Sequence, residues 1–337
     1  MAFVHCASGE CAKSEVDLFS LKPMQTSIGN SFFMEISPLA ALMPLAPIEF
    51  YVSGSMDIYL DLNNTLLHLI CKIVKADGSN IENNAKVAKI AYPIATMFNQ
   101  VDITLGDRLI TRSDNMYVYR AYIESILNYR DVLDTQLSAG LFYKDTYGNF
   151  KATALNGHNQ GFVKRANFAA GSRQFDLLGH IHSDLFYQDK LLLNGMNFKI
   201  ILICSKDSFC LISGDAEQNK RAILSVSLFV KRVKVSPSIS LAHAEALQLS
   251  NVKYTMERMA LKIFSMPTSI RLTQQQNVFL GLPPKLIIIG FVDNTAFSGL
   301  YTSNPFNFKH YDINYVGLVH EGAVIPVKPY TTCCGII

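Results

Sequence analysis

The sequence predicts an all-β protein with one inserted helix, laid out as two consecutive series of strands. Three observations lead there. Fifteen Tyr and 21 Phe with no Trp, among many Val, Ile and Thr, favour pleated surfaces. From Ile48 onward short apolar runs recur between turn signals at the spacing of a sandwich or barrel. Only one stretch carries a clear helical period. A chain of 337 residues, 49% hydrophobic and 17% charged, is long enough for one large or two ordinary domains with substantial cores.

Taken in order, residues 1–45 mix Ser, Pro, Met and charge without sustained periodicity, and are expected to form an extended arm ordered by contacts elsewhere. The first strand is expected at "PIEFYVSG". In "DIYLDLNNTLLHLICKIVK", Ile58, Leu60 and Leu62 alternate with polar residues. After Asn63-Asn64, Leu67, Leu69, Cys71 and Ile73 resume the alternation, which predicts a wall strand. "VDITLGDRLI" contains a Gly-Asp turn. Within "NMYVYRAYIESILNY", Tyr119, Tyr122, Ile123, Ile126 and Leu127 share one helical face and are expected to form the buried stripe of the inserted helix. "FDLLGHIHSDLF", "KLLLNGMNFKIILIC" and "AILSVSLFVKRVKV" complete the first series, expected over residues 46–238. The "NG" at Asn194-Gly195 is a two-residue hairpin signal. "SPSISLAHAEALQLSN" reads as a connector, placed at 239–251. A second series over 252–337 is predicted from "KYTMERMALKIFSM", "SIRLTQQQNVFLG", "PKLIIIGFVDN", "FKHYDINYVGLV" and "AVIPV". That is too few strands for a closed sandwich, so the second unit is expected to be incomplete, with strand edges open around Leu286 to Val292 and Tyr311 to Val319.

Chemistry is sparse. The formal charge of +3, from 30 basic and 27 acidic residues, gives no general drive toward nucleic acid or anionic membrane. Seven cysteines form no CxxC pair and match no zinc spacing, so reduced thiols inside a cell are expected. The N-terminus lacks the apolar core of a signal peptide, and "LIIIGFV" is far too short for a membrane span. Phosphate-loop, dinucleotide, nucleophile-elbow and zinc-protease motifs are absent. Asp57 and Asp61 on one strand face would stand roughly 13 Å apart, too far for a paired acid and base. The best chemical candidate is "GHIHSDLF": His180 and His182, two apart on a strand, share a face as the start of a cupin-type metal site would. Phe186 and Tyr187 stand where the carboxylate of such a site is needed. The basic segments holding Lys231, Arg232 and Lys234, and Lys164, Arg165 and Arg173 in an expected loop, read as solvated edges rather than phosphate sites. No catalytic, cofactor-binding or metal-ligating residue is therefore assigned.

Five segments carry a resemblance. "KSEVDLFSLKPMQTSI", "YRAYIESILNY", "LNGMNFKIILICSKDSFCLISG", "LFVKRVKVSPSISLAHAEAL" and "NPFNFKHYDINYVGLVHEGAVIPVKP", in order from about Lys13 to Pro329, resemble the major capsid proteins of Maverick/Polinton elements and adintoviruses. The resemblance implies a double jelly roll, here with its second roll cut short. It also implies a structural rather than catalytic role, with homotrimers forming pseudo-hexameric capsomers of a virion. Neighbouring capsomers and a minor penton protein would be the partners, and nucleic acid would be met weakly or indirectly. From a different class, the rival is a cupin-like jelly-roll metalloenzyme built on His180 and His182.

Overall fold

A computed structural model of the chain describes residues 25–111, 114–128, 136–214, 218–268, 272–279, 284–320 and 322–330. Two four-stranded antiparallel sheets face each other. One has the order β1 (Ile28–Ile36), β10 (Asn219–Val235), β3 (Ile58–Lys75), β7 (Phe175–His180). The other has the order β2 (Ile48–Val52), β8 (Phe198–Cys204), β5 (Phe98–Leu105), β6 (Arg108–Leu109). β1 pairs with β10, β2 with β8, β3 with β7, and β5 with β6. The chain is thus a long nested hairpin rolled up around its β5–β6 tip, where Gly106 takes a positive φ. Nested pairing across two sheets is the jelly-roll arrangement. A short ladder of β4 (Val87–Lys89) with β9 (Leu211–Ser213) closes one side. Inward-facing Phe50, Leu69, Ile103, Phe198, Ile200 and Leu228 are each 1% exposed or less and form the core between the sheets.

The wall strand shows how sequence parity is reconciled with burial. Leu60 and Leu62 are buried, and so are Leu67, Leu69, Cys71 and Ile73, but the two sets differ by an odd number of positions. A regular strand would turn one set outward. Between Asp61, opposite Lys231, and Leu66, opposite Phe229, β3 advances more residues than β10, and the odd surplus restores the inward face. Asp61 holds this bulge: it accepts from the Asn64 backbone N–H at 3.3 Å and from Asn64 Nδ2 at 2.9 Å, while its carbonyl accepts from the Thr65 hydroxyl at 3.0 Å. Asp61 also pairs with Lys231 at 3.1 Å, so it serves the fold rather than a carboxylate pair with Asp57.

Several expectations need correction. The proposed arm, 1–45, contains β1, which pairs along β10 with Met34 opposite Val230 and Ile36 opposite Leu228; residues 1–24 lie outside the described residues. The strand was hidden because Phe32, Phe33 and Met34 are consecutive and all exposed, so both faces are apolar and no alternation shows. The inserted helix exists as α2 (Tyr117–Asn128), but Ile123 and Ile126 are only partly buried and Leu127 is exposed; the stripe is centred on Val118, Ala121, Tyr122 and Ser125. The Asn194-Gly195 turn forms, with Gly195 at positive φ, yet Leu192 bridges to Leu60 and the turn joins no hairpin. The segment 162–173, read as a loop, falls for the most part in α3 (Gln160–Ala169), started by Asn159, whose side chain accepts from the Phe162 N–H at 3.3 Å. Its buried face, Phe162, Arg165, Ala166 and Ala169, has helical spacing that the arginine concealed.

The connector is largely helical, as α5 (Pro237–Leu249), which buries none of its side chains. Beyond it, the described parts of "KYTMERMALKIFSM", "SIRLTQQQNVFLG" and "PKLIIIGFVDN" form no strand. The described residues there fold into a short helix, α6 (Asn294–Ser298), and one hairpin of β11 (Val316–His320) with β12 (Ala323–Tyr330). Alternation supplies a face, but a strand also needs a neighbour to take its hydrogen bonds. Phe264, Ile288 and Ile289 stay 43%, 47% and 56% exposed instead. The remaining short helices are α1 (Pro93–Thr96) and α4 (Asp207–Cys210).

Candidate functional site: a polar and aromatic docking seam

The predicted histidine pair is split by the end of β7. His180 is the last residue of the strand; His182 lies beyond it and is 2% exposed. His182 sits in a buried polar knot. Its Nε2 meets the Tyr92 hydroxyl at 2.7 Å, its Nδ1 meets Glu124 Oε2 at 3.0 Å and the Tyr187 hydroxyl at 2.6 Å, and its backbone N–H donates to the Tyr117 hydroxyl at 3.2 Å. Both ring nitrogens are committed to hydrogen bonds, so neither presents a lone pair to a metal. Among the described residues no cluster of three His, Cys, Asp or Glu is placed to hold an ion. His180 turns away into a cavity of about 100 Å³ shared with Leu66, Gln136, Leu137 and Leu178. Burial lowers its pKa, and the charge of His182 adds to that.

Glu124 sits in the middle of α2 and is buried, 5% exposed. Burial alone would raise its carboxyl, but the His182 hydrogen bond and the Arg120 and His182 charges prevail and hold it below the usual range. Arg120, one helical turn earlier, donates from Nε to Glu124 Oε1 at 2.9 Å and from its other end to Asp184. Burial also drives the Tyr117 and Tyr119 hydroxyls upward and Tyr122 up to about 12.

The knot continues into the C-terminal region. Asp184 Oδ1 accepts from the Met259 N–H at 3.3 Å, Gln188 Nε2 donates to the Thr255 carbonyl at 2.9 Å, and the Tyr254 hydroxyl accepts from the Leu193 N–H at 2.9 Å. Residues 254–259 are thereby strapped along the sandwich. A second contact is aromatic: Phe306, 2% exposed, stacks on Tyr122 of α2 with centroids 3.8 Å apart and planes 5° apart, and Phe297 of α6 stacks on Tyr119 at 5.7 Å. A third uses Arg165, read in the sequence as solvated but 2% exposed. It donates to the Lys89 carbonyl at 2.7 Å, to the Tyr143 carbonyl, and to Asp145 at 2.6 Å. Asn304 Nδ2 donates to the other oxygen of that carboxylate at 2.8 Å. Of the other basic candidates, Lys231 is paired with Asp61, and Lys164 lies over the Tyr143 ring at 5.2 Å. The signal for the seam was the Tyr119/Tyr122 spacing on α2; its partners, more than 170 residues later in the chain, had no local mark.

No family model matches the chain. A curated relative, the uncharacterized protein F54H12.2 of Caenorhabditis elegans, is 24% identical over 320 residues, covering 90% of this chain and 73% of the relative. Among solved structures, similarity extends to the Sputnik virophage (TM-score 0.47, 9% identity, 70% of this chain and 54% of that one). It extends also to the Faustovirus major capsid protein (0.38, 10%, 68% and 58%) and the mavirus major capsid protein (0.33, 12%, 75% and 55%). The chain spans little more than half the length of these solved structures. The all-β jelly roll is defined by the strand order of the chain itself.

Proposed function

We propose that the chain is a structural capsid subunit of a Polinton-like DNA element, whose work is self-association into trimers and shells rather than catalysis. The observation that carries this reading is the contrast between a complete, nested jelly roll and a following region whose apolar side chains lie open. Phe264, Ile288, Ile289 and Tyr315 are each more than 40% exposed, as surfaces meant for other protein are. The five sequence segments resembling capsid proteins of Maverick/Polinton elements and adintoviruses support the same reading. So does the engagement of both His182 nitrogens in hydrogen bonds, which gives the cupin alternative less support than the capsid reading. Neighbouring capsomers and a penton protein would be the partners, and the virion the place of action. The test is light scattering with metal analysis and electron microscopy on purified protein. Metal-free trimers or larger shells are expected; a monomer carrying stoichiometric metal would overturn the proposal.

A further inference from the structure

We propose that Cys71 and Lys89 are joined in the folded chain by dioxygen into a covalent N–O–S bridge between β3 and β4. The inference is independent of the capsid reading. Lys89 is 2% exposed and Cys71 fully buried. The Lys89 ammonium donates to Cys71 Sγ at 2.9 Å and to Met97 Sδ at 3.3 Å, and lies 4.7 Å from the centre of the Phe175 ring. Among the described residues no carboxylate pairs with it. A buried lysine with sulfur acceptors and a ring has no stability rationale of the usual kind, because interior cations are ordinarily matched by hydrogen-bonded anions. Of the thiols near it, Cys71 is the one its ammonium touches, while Cys210 interacts with it only through charge.

Contact and composition make a bridge chemically direct. An oxygen atom inserted between nitrogen and sulfur already 2.9 Å apart requires little movement of either strand. The S–H bond and one N–H bond are replaced by S–O and O–N bonds to the same oxygen atom. The second oxygen atom leaves as water with the two displaced hydrogens. Sulfur and nitrogen each give up one electron pair, and dioxygen accepts both pairs. Thiol with amine and thiolate with ammonium have the same composition, so the balance holds wherever the shared proton resides. Dioxygen is small and apolar enough to reach a core site that bulky or charged oxidants cannot enter. The other two described thiols are engaged differently: Cys210 donates to the Thr96 carbonyl at 3.1 Å and accepts from Arg221, and Cys204 lies only partly buried beside Arg221.

The test is intact-mass measurement and peptide mapping of the full chain, purified once in air and once without oxygen. In air the mass should gain one oxygen and lose two hydrogens. Trypsin should then fail to cut after Lys89, and the peptides containing Cys71 and Lys89 should elute as one. Excess thiol should reverse the change only after unfolding, returning Cys71 and Lys89 and oxidising the reductant to disulfide with loss of water. Cys71→Ser and Lys89→Arg should both lack the shift. If either variant fails to fold, the wild-type peptide map decides alone. An unmodified wild-type mass in air, a sulfur oxidation confined to Cys204 or Cys210, or a Cys71–Cys210 disulfide would each overturn the proposal.

Discussion

The sandwich from Ile28 to Val235 and the region from Val252 to Tyr330 have similarly apolar sequences and opposite fates. In the sandwich the apolar runs of the central strands have a sheet neighbour for the backbone and a facing sheet for the side chains, while β1, with Phe32, Phe33 and Met34 exposed, has only the neighbour. In the later region "KLIIIGFV" has a comparable run, yet Ile288 and Ile289 lie about half exposed and the segment forms no strand. Hydrophobicity alone does not make a strand; the hydrogen bonds must be received by another element. The later region is therefore held against the sandwich by contacts that include the Asp184 knot, the Phe306 stack, Asn304, and Tyr301, whose carbonyl accepts from the Ser213 N–H at 2.8 Å and whose hydroxyl donates to the Asn219 carbonyl at 2.9 Å.

The widest split between the two regions should appear in paired truncations. Leu69→Ala in the sheet core removes a fully buried side chain and should cost about 2–5 kcal/mol in chemical denaturation. Ile288→Ala, at 47% exposure, should change stability by less than about 0.5 kcal/mol. Equal losses would mean that the later region has its own packed core and that the contrast is mistaken.

How much of this was legible in the sequence follows the same division. Leu67, Leu69, Cys71 and Ile73 were readable because a strand with one wet face writes its burial as alternation. The parity jump at Asn63-Asn64 marked the bulge. The jelly-roll closure through β1 was not readable, since a strand with apolar residues on both faces carries no period. Arg165 was misjudged because a charge is read as solvent-facing until its partners are seen, and Asp145 is 20 residues away. The histidine pair failed because the strand ends between its members, a boundary that Ile181 and Ser183 do not announce.

A smaller effect should come from the seam. Phe306→Ala removes a buried ring and its stack on Tyr122, which is worth about 2–3 kcal/mol of local stabilisation. The loss should fall on docking of the C-terminal region rather than on the sheets. Limited proteolysis should cut faster between Val252 and Phe308, while amide protection in β3 and β10 stays high. Faster exchange throughout β3 would show that the seam and the sandwich unfold together, and that the two regions are one cooperative unit.

The smallest effect is in pH, and two groups beside the seam lose their contributions in the same direction but in different windows. His180 has a lowered pKa in the folded chain because burial, then the His182 charge, disfavour its cation, although a hydrogen bond to the Asn63 backbone opposes them. The unfolded chain takes up this proton near pH 6.5, before the folded one does, so the stability that His180 permits is full above about pH 6.5 and declines below it. Glu124 also has a lowered pKa, but as an acid: burial works against it while His182 and Arg120 outweigh burial. Its contribution is full above its unfolded value of about 4.3 and is lost as pH falls through the lower folded value. Two windows follow. Below about pH 6.5 the sandwich should lose a little stability through His180, and His180→Gln should flatten that slope. Below about pH 4.3 protonation of Glu124 takes one of the two carboxylates from Arg120, whose other partner, Asp184, anchors the Met259 N–H. Exchange of the strap at 254–259 should therefore accelerate there before the sheets open, and Glu124→Gln should show the faster strap exchange already at neutral pH. A strap that stays protected until the sheets themselves unfold would place its anchorage in the Tyr254 and Gln188 hydrogen bonds instead of the charged knot.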